Sequence, residues 1–202
     1  MKPASFERAR RYAEQRLEAE LSPDLHYHGI RHTRDEVVPA AELFASVEGI
    51  KGNRLLLLRT AAWFHDLGYV EGAVYHELIS ARMAEQVLPS FGYRDREVEV
   101  VRWAILATAL PQSPNNLLEQ ILTDADLDVL GRENYMQRNN DLRRELACLD
   151  KHFSDEQWFR NQLNFIEGHR YFTDAAHSLR DAQKTRNILD LKKIMAENRW
   201  EH

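Results

Sequence analysis

The chain has 202 residues, 44% of them hydrophobic and 29% charged, which is enough apolar material for a core and enough charge to cover it. A formal net charge of −5 argues against general nucleic-acid or membrane-surface binding, which would need a local basic patch. The single cysteine, Cys148, excludes an intramolecular disulfide and a cysteine-based zinc site and suits a reducing, cytoplasmic compartment; no apolar run approaches the roughly 18 residues of a membrane span.

The start, MKPASFERARRYAEQRLEAEL, is amphipathic and contains acids, so it lacks the apolar stretch of a secretory signal. It predicts a charged helix over 4–20, with Pro23 breaking the pattern. From about 30 to 47, Val37, Ala41 and Phe44 recur at helical spacing. Residues 52–67 are apolar nearly all round, the mark of a central buried helix, and Gly68 stands where a left-handed residue would end it. Leu78, Ala81, Ala84 and Leu88 stripe the next helix, closed by Pro89. Residues 95–109 carry Val98, Val101 and Ile105, and Leu118, Ile121, Leu122, Ala125 and Val129 line a helix reaching Gly131. Leu142, Leu146, Leu149 and Phe153 stripe another. The last two, about 154–168 and 174–198, open on Ser154-Asp155 and Thr173-Asp174, both N-cap sequences. No strand alternation of useful length competes, so the expected architecture is one all-α domain over 1–202, with eight to ten helices.

The chemistry concentrates in three segments. In AAWFHDLGYVEG, His65 and Asp66 sit side by side at the end of the apolar helix. An aspartate there opposes the negative end of the helix dipole, and a buried unpaired charge is costly; a divalent cation between the two removes both objections. Adjacent helical residues diverge by about 100°, so the pair can share an ion only at a helix end. Upstream, HYHGIRHT holds His26, His28 and His32, of which His28 and His32 share a face if the helix has begun. Downstream, Asp124, Asp126 and Asp128 alternate in TDADLDVLGR, and three acids in five residues repel one another unless a cation or basic groups relieve them. An isolated pair of this kind is ordinarily a core histidine with a turn aspartate. The order His, His-Asp, Asp over residues 32 to 126 points instead to two nitrogens and two oxygens on one metal, with positions left open for water.

The three segments together resemble the HD-domain superfamily of metal-dependent phosphohydrolases, an all-helical fold named for its paired histidine and aspartate. YHGIRHT matches the context of the family's first histidine, which falls on His32; the paired ligands fall on His65 and Asp66. The last aspartate falls in DADLDVLG, where Leu127 directly after it and Arg132 six later favour Asp126, with Asp124 as the reserve. The resemblance covers a metal-site core at about 25–132. The C-terminal helices, about 133–200, include YFTDAAHSLRDAQKTRNILDL, which looks like the tail of uncharacterised bacterial members. His76-Glu77 is similar to an element that lies near the metal in relatives and contacts substrate or water. Binuclear members carry a further histidine in the helix corresponding to 95–110, which is missing from RWAILATALPQ, so the resemblance implies one metal.

The resemblance implies hydrolysis of a phosphate ester, most often of a nucleotide, in a small phosphorylated substrate. The ligand set suits Mn, Fe, Co, Ni or Zn, with Mg also compatible. Asp66 is expected to ligate the ion and orient the attacking water; His28 or His76 (or Asp124) would supply a proton to the leaving group. Phosphate needs close positive charge, for which Arg31 and Arg132 stand nearest the ligands, ahead of Arg34, Arg59 and Arg102; Glu77 would contact substrate. Tyr69 and Tyr75 could flank a base, although packing is the plainer role, and Trp158, Phe159, Phe165, Tyr171 and Phe172 read as cement between C-terminal helices. An alternative of another class is a non-catalytic HD module that keeps its metal and senses a nucleotide or protein partner. A homo-oligomer is compatible with the sequence.

Overall fold

A computed structural model describes residues 4–200. The elements run α1 (Phe6–Glu20), α2 (Val38–Val47), α3 (Gly52–Phe64), α4 (His76–Val87), α5 (Asp95–Leu106), α6 (Leu117–Asp126), α7 (Tyr135–Cys148), α8 (Asp155–Gly168) and α9 (Asp174–Glu197). A π turn (His32–Val37) leads into α2, and short 3-10 turns cover Leu67–Val70, Leu88–Phe91 and Asp128–Gly131. The described residues form an all-helical bundle without strands, and none of their helices is long and apolar enough to cross a membrane.

α3 occupies the centre, packed by α1, α2, α5 and α6. Its sequence explains this: Leu57, Leu58, Ala61, Ala62, Trp63 and Phe64 are all buried, and a helix apolar on every face is stable only when covered on every face. The helical run expected over 30–47 is present, but Pro39 has no N–H to donate. The preceding turn is widened instead, with the Val38 N–H bonded to the Thr33 carbonyl five residues back.

The C-terminal helices close a second apolar cluster of Tyr27, Val129, Leu130, Tyr135, Ile166 and Leu191. Polar side chains fasten them to the first. Asp124 accepts the backbone N–H groups of Phe172 and Thr173 (2.9 Å each) and the Thr173 hydroxyl (2.7 Å). The Asn187 amide donates to the carbonyls of Leu130 and Arg132, both at 2.9 Å. Ser154 and Thr173 are the N-caps of α8 and α9, as their positions in the sequence predict.

Three local expectations need correction. Gly68 does not adopt a positive φ. A Cβ there would meet the His76 carbonyl oxygen at 2.1 Å, so it is a glycine of close approach, not of handedness. α6 stops at Asp126 rather than reaching Gly131. α7 ends at Cys148 and faces inward with Tyr135, Arg138, Asn139 and Glu145, whereas Leu149 is exposed.

Candidate metal centre

α3 delivers His65 to its own C-terminal end, where the chain leaves the helix and turns Asp66 to φ −102° and ψ 6°. That change of backbone direction brings two neighbouring side chains to one point, which a continuing helix would forbid. One ligand atom each from His32, His65 and Asp66 lies within 4.8 Å of the others. Asp126, the last residue of α6, adds an oxygen 3.2 Å from His32 Nε2 and 3.5 Å from His65 Nε2.

The orientation of each imidazole follows from its other nitrogen. His65 Nδ1 is 2.8 Å from the Ala62 carbonyl, which can only accept, so Nδ1 carries the proton and Nε2 presents its lone pair. His32 Nδ1 is held in the same way by Glu36 at 3.2 Å. His65 Nε2 and Asp66 Oδ2 are buried without a hydrogen bond, a costly condition for polar atoms. Their chemistry and convergence fit a divalent cation that takes nitrogen and carboxylate oxygen together.

The electrostatics favour positive charge at this point. Burial disfavours the charged form of His65, yet the carboxylates of Asp66 and Asp126 outweigh it and raise its pKa well above 6.5. Burial likewise opposes ionisation of Asp126, but the imidazoles of His32 and His65 pull its carboxyl down to about 2. Asp66, buried too, is held far below the usual carboxylate range by His65 and further histidines. Both carboxylates therefore stay ionised in a buried place, ready to compensate a cation.

The centre forms one wall of a cavity of about 450 Å³, which Asp66 and Asp126 line together with His28, Tyr69, His76 and Glu77. His28, Tyr69 and His76 form a stack of rings, with centroids 4.5 Å and 4.2 Å apart. His76 Nε2 lies 3.5 Å from Asp66 Oδ1, so the two oxygens of Asp66 face different partners. His28 Nδ1 makes a short contact with the carboxylate of Glu145, which also accepts the backbone N–H groups of Tyr27 and His28.

No protein-family model matches the sequence, and no curated relative does. The architecture is nevertheless similar to the crystal structure of a predicted HD superfamily hydrolase from an uncultured Thermotogales bacterium. The two align with a TM-score of 0.65 at 21% identity, over 93% of this chain and 91% of that one. The chain has the HD-superfamily fold.

Within this HD fold, the sequence-predicted residues His32, His65, Asp66, Asp126, His28, His76 and Glu77 come together. Asp124 does not: it is spent on the start of α9, and Asp126 is the aspartate that lies against the two histidines. Arg132 is also elsewhere, ion-paired to Asp128 and donating to the Glu36 carbonyl at 3.2 Å. Arg31 is half exposed, 3.9 Å from the Glu36 carboxylate. Neither guanidinium lines the cavity; both side chains lie against acids outside it. Tyr75 is exposed, and His26 lies near Cys148. Glu36, Glu145 and Arg138 were missed. Arg138 is buried, pairing with Glu36 at 2.9 Å and donating to the Tyr27 carbonyl at 2.8 Å. The signal was available in α7, whose buried positions 135, 138, 139 and 145 keep helical spacing while being mostly polar.

Proposed function

We propose that the protein is a metal-dependent phosphohydrolase that cleaves a phosphate ester of a nucleotide or similar small molecule. One divalent cation is held by His32, His65, Asp66 and Asp126. The observation that carries this reading is the convergence of buried His65 Nε2 and Asp66 Oδ2, both without hydrogen bonds, with His32 and Asp126 at the wall of a cavity. Similarity to a protein described as a predicted HD superfamily hydrolase supports it.

A cation bound there, whether Mn, Fe, Co, Ni, Zn or Mg, supplies Lewis acidity to a phosphoryl oxygen and to the attacking water. Asp66 has its second oxygen turned toward His76 and orients the water. His28 and His76 stand in the cavity wall to pass a proton to the leaving oxygen, and Glu145 holds His28 in place. Burial of the ligands keeps bulk water from competing for the carboxylates.

The test is elemental analysis of purified wild type, Asp66→Asn and His65→Ala, joined to a phosphate-release screen with Mn, Co, Ni and Mg. The expected result is about one metal per wild-type chain, lost with turnover in both variants while the helical circular dichroism persists. Full activity in either metal-free variant overturns the proposal. Metal binding and saturable ligand binding without turnover would favour the sensor alternative, in which the same cavity binds a ligand without cleaving it.

A further inference from the structure

We infer that the cavity admits substrates with a single phosphoryl group attached to a neutral, largely apolar organic group, and that the Gln162 side-chain amide reads a hydrogen-bond acceptor on that group. The inference rests on the phosphohydrolase reading and adds the substrate class.

Charge sets the first half. Among the described residues, no lysine or arginine lines the cavity. The nearby guanidiniums are committed elsewhere: Arg138 to Glu36 and Asp141, and Arg132 and Arg180 to Asp128. The ionisable acids in the wall are Asp66, Asp126 and Glu77. A divalent cation at the metal centre balances the charges of the first two, and its open positions take the oxygens of one phosphoryl group. A second or third phosphate would lie beyond the ion among Glu77, neutral polar side chains and apolar wall, with the imidazoles of His28 and His76 as the basic groups nearest to hand, and a multiply charged group without a lysine or arginine partner is disfavoured there.

Hydrogen-bond logic sets the second half. The far end of the cavity is largely apolar, with Leu127, Leu130, Leu142 and Phe165, and is interrupted by amides. Trp158 is buried and its indole N–H can only donate; it lies 2.6 Å from an Asn139 side-chain atom, which must therefore be the oxygen. The Asn139 amide nitrogen then donates to Gln162 Oε1 at 2.6 Å. This chain of donors fixes the orientation that an amide alone leaves ambiguous. Gln162 consequently turns its NH2 away from Asn139, and that donor makes no hydrogen bond among the described residues. A donor of fixed orientation in an apolar wall selects for an acceptor and against groups that lack one.

Two sets of probes separate this inference from the reading beneath it. Calorimetry without added metal compares 4-methylumbelliferone, which carries a lactone carbonyl, with 1-naphthol, which shares the fused rings and hydroxyl but lacks that acceptor. Wild type should bind the former about tenfold more tightly, and Gln162→Met should abolish the difference. Equal binding of the two by wild type, or a preference unchanged in Gln162→Met, overturns the Gln162 assignment. With metal, phosphate release from thymidine mono-, di- and triphosphate should fall by about a hundredfold in kcat/KM beyond the monophosphate, and 4-methylumbelliferyl phosphate should be cleaved. Comparable rates on the triphosphate overturn the single-phosphoryl half. Intact 4-methylumbelliferone discrimination with no turnover of any ester overturns the phosphohydrolase reading and leaves the Gln162 assignment standing.

Discussion

Four histidines around the centre have Nδ1 occupied by an acceptor, and the acceptors differ in kind. His65 and His76 use the carbonyls of Ala62 and Ala73, whereas His32 and His28 use the carboxylates of Glu36 and Glu145. A carboxylate behind an imidazole fixes its ring and makes the far nitrogen more basic. Glu145 reaches only His28 among these, so its effect should be on turnover and not on metal uptake. Glu145→Gln is expected to lower kcat by about ten- to a hundredfold with metal stoichiometry unchanged by elemental analysis. Loss of metal in that variant would place His28 among the ligands instead. Asp124 is the opposite case. Asp124→Ala strips three donors at the start of α9 of their acceptor and should cost about 2–4 kcal/mol of stability in urea, again with metal retained.

At the level of elements, the decisive piece is the passage from α3 to α4. The 3-10 turn after Asp66 runs so close to the start of α4 that Gly68 has no space for a side chain, and its N–H donates to Ser80 Oγ at 2.7 Å. Gly68→Ala must push His76 away from Asp66. It is expected to destabilise the protein by about 1–3 kcal/mol and to reduce turnover more than metal affinity, as thermal unfolding alongside kinetics would report. The sequence makes the helices legible because their apolar residues recur at 3.6-residue spacing, and it makes the candidate site legible because His65-Asp66 at the end of α3 is a pair that burial alone does not favour. What it hides is polar and tertiary. The leucines of α7 mark it as a helix, yet it is held by Arg138, Asn139 and Glu145, whose partners lie on distant segments. Arg132 looked like a phosphate ligand by proximity in sequence, although Asp128 one helical turn earlier takes it. Gly68 looks like a left-handed cap in the sequence, which reports that a side chain is absent without reporting what fills the space.

Over the whole molecule, the C-terminal helices carry a pH sensitivity of their own. Burial, then Lys184 and Arg170, push His169 down to about 3, with Lys184 Nζ 3.0 Å from its Nδ1; Asp181 opposes the shift and His177 reinforces it. The unfolded chain protonates this histidine near 6.5 and the folded chain only near 3, so below 6.5 the unfolded state binds the extra proton and stability falls with pH. This contribution is complete above about pH 6.5 and is lost progressively toward pH 3. His169→Gln should flatten that part of the profile, read as the difference in urea midpoint between pH 7 and pH 5. The same region also braces the centre from behind: α9 grips the turn after Asp126 through Asn187, packs Arg180 against Gly131, and is itself started on Asp124. Synthesis runs in the other direction. His32, His65, Asp66 and Asp126 all leave the ribosome before the brace does, so a nascent chain that has reached residue 173 possesses all four and lacks the part that steadies Asp126. On the proposed metal centre, the order of translation thus places firm capture of an ion after α9 has emerged and docked.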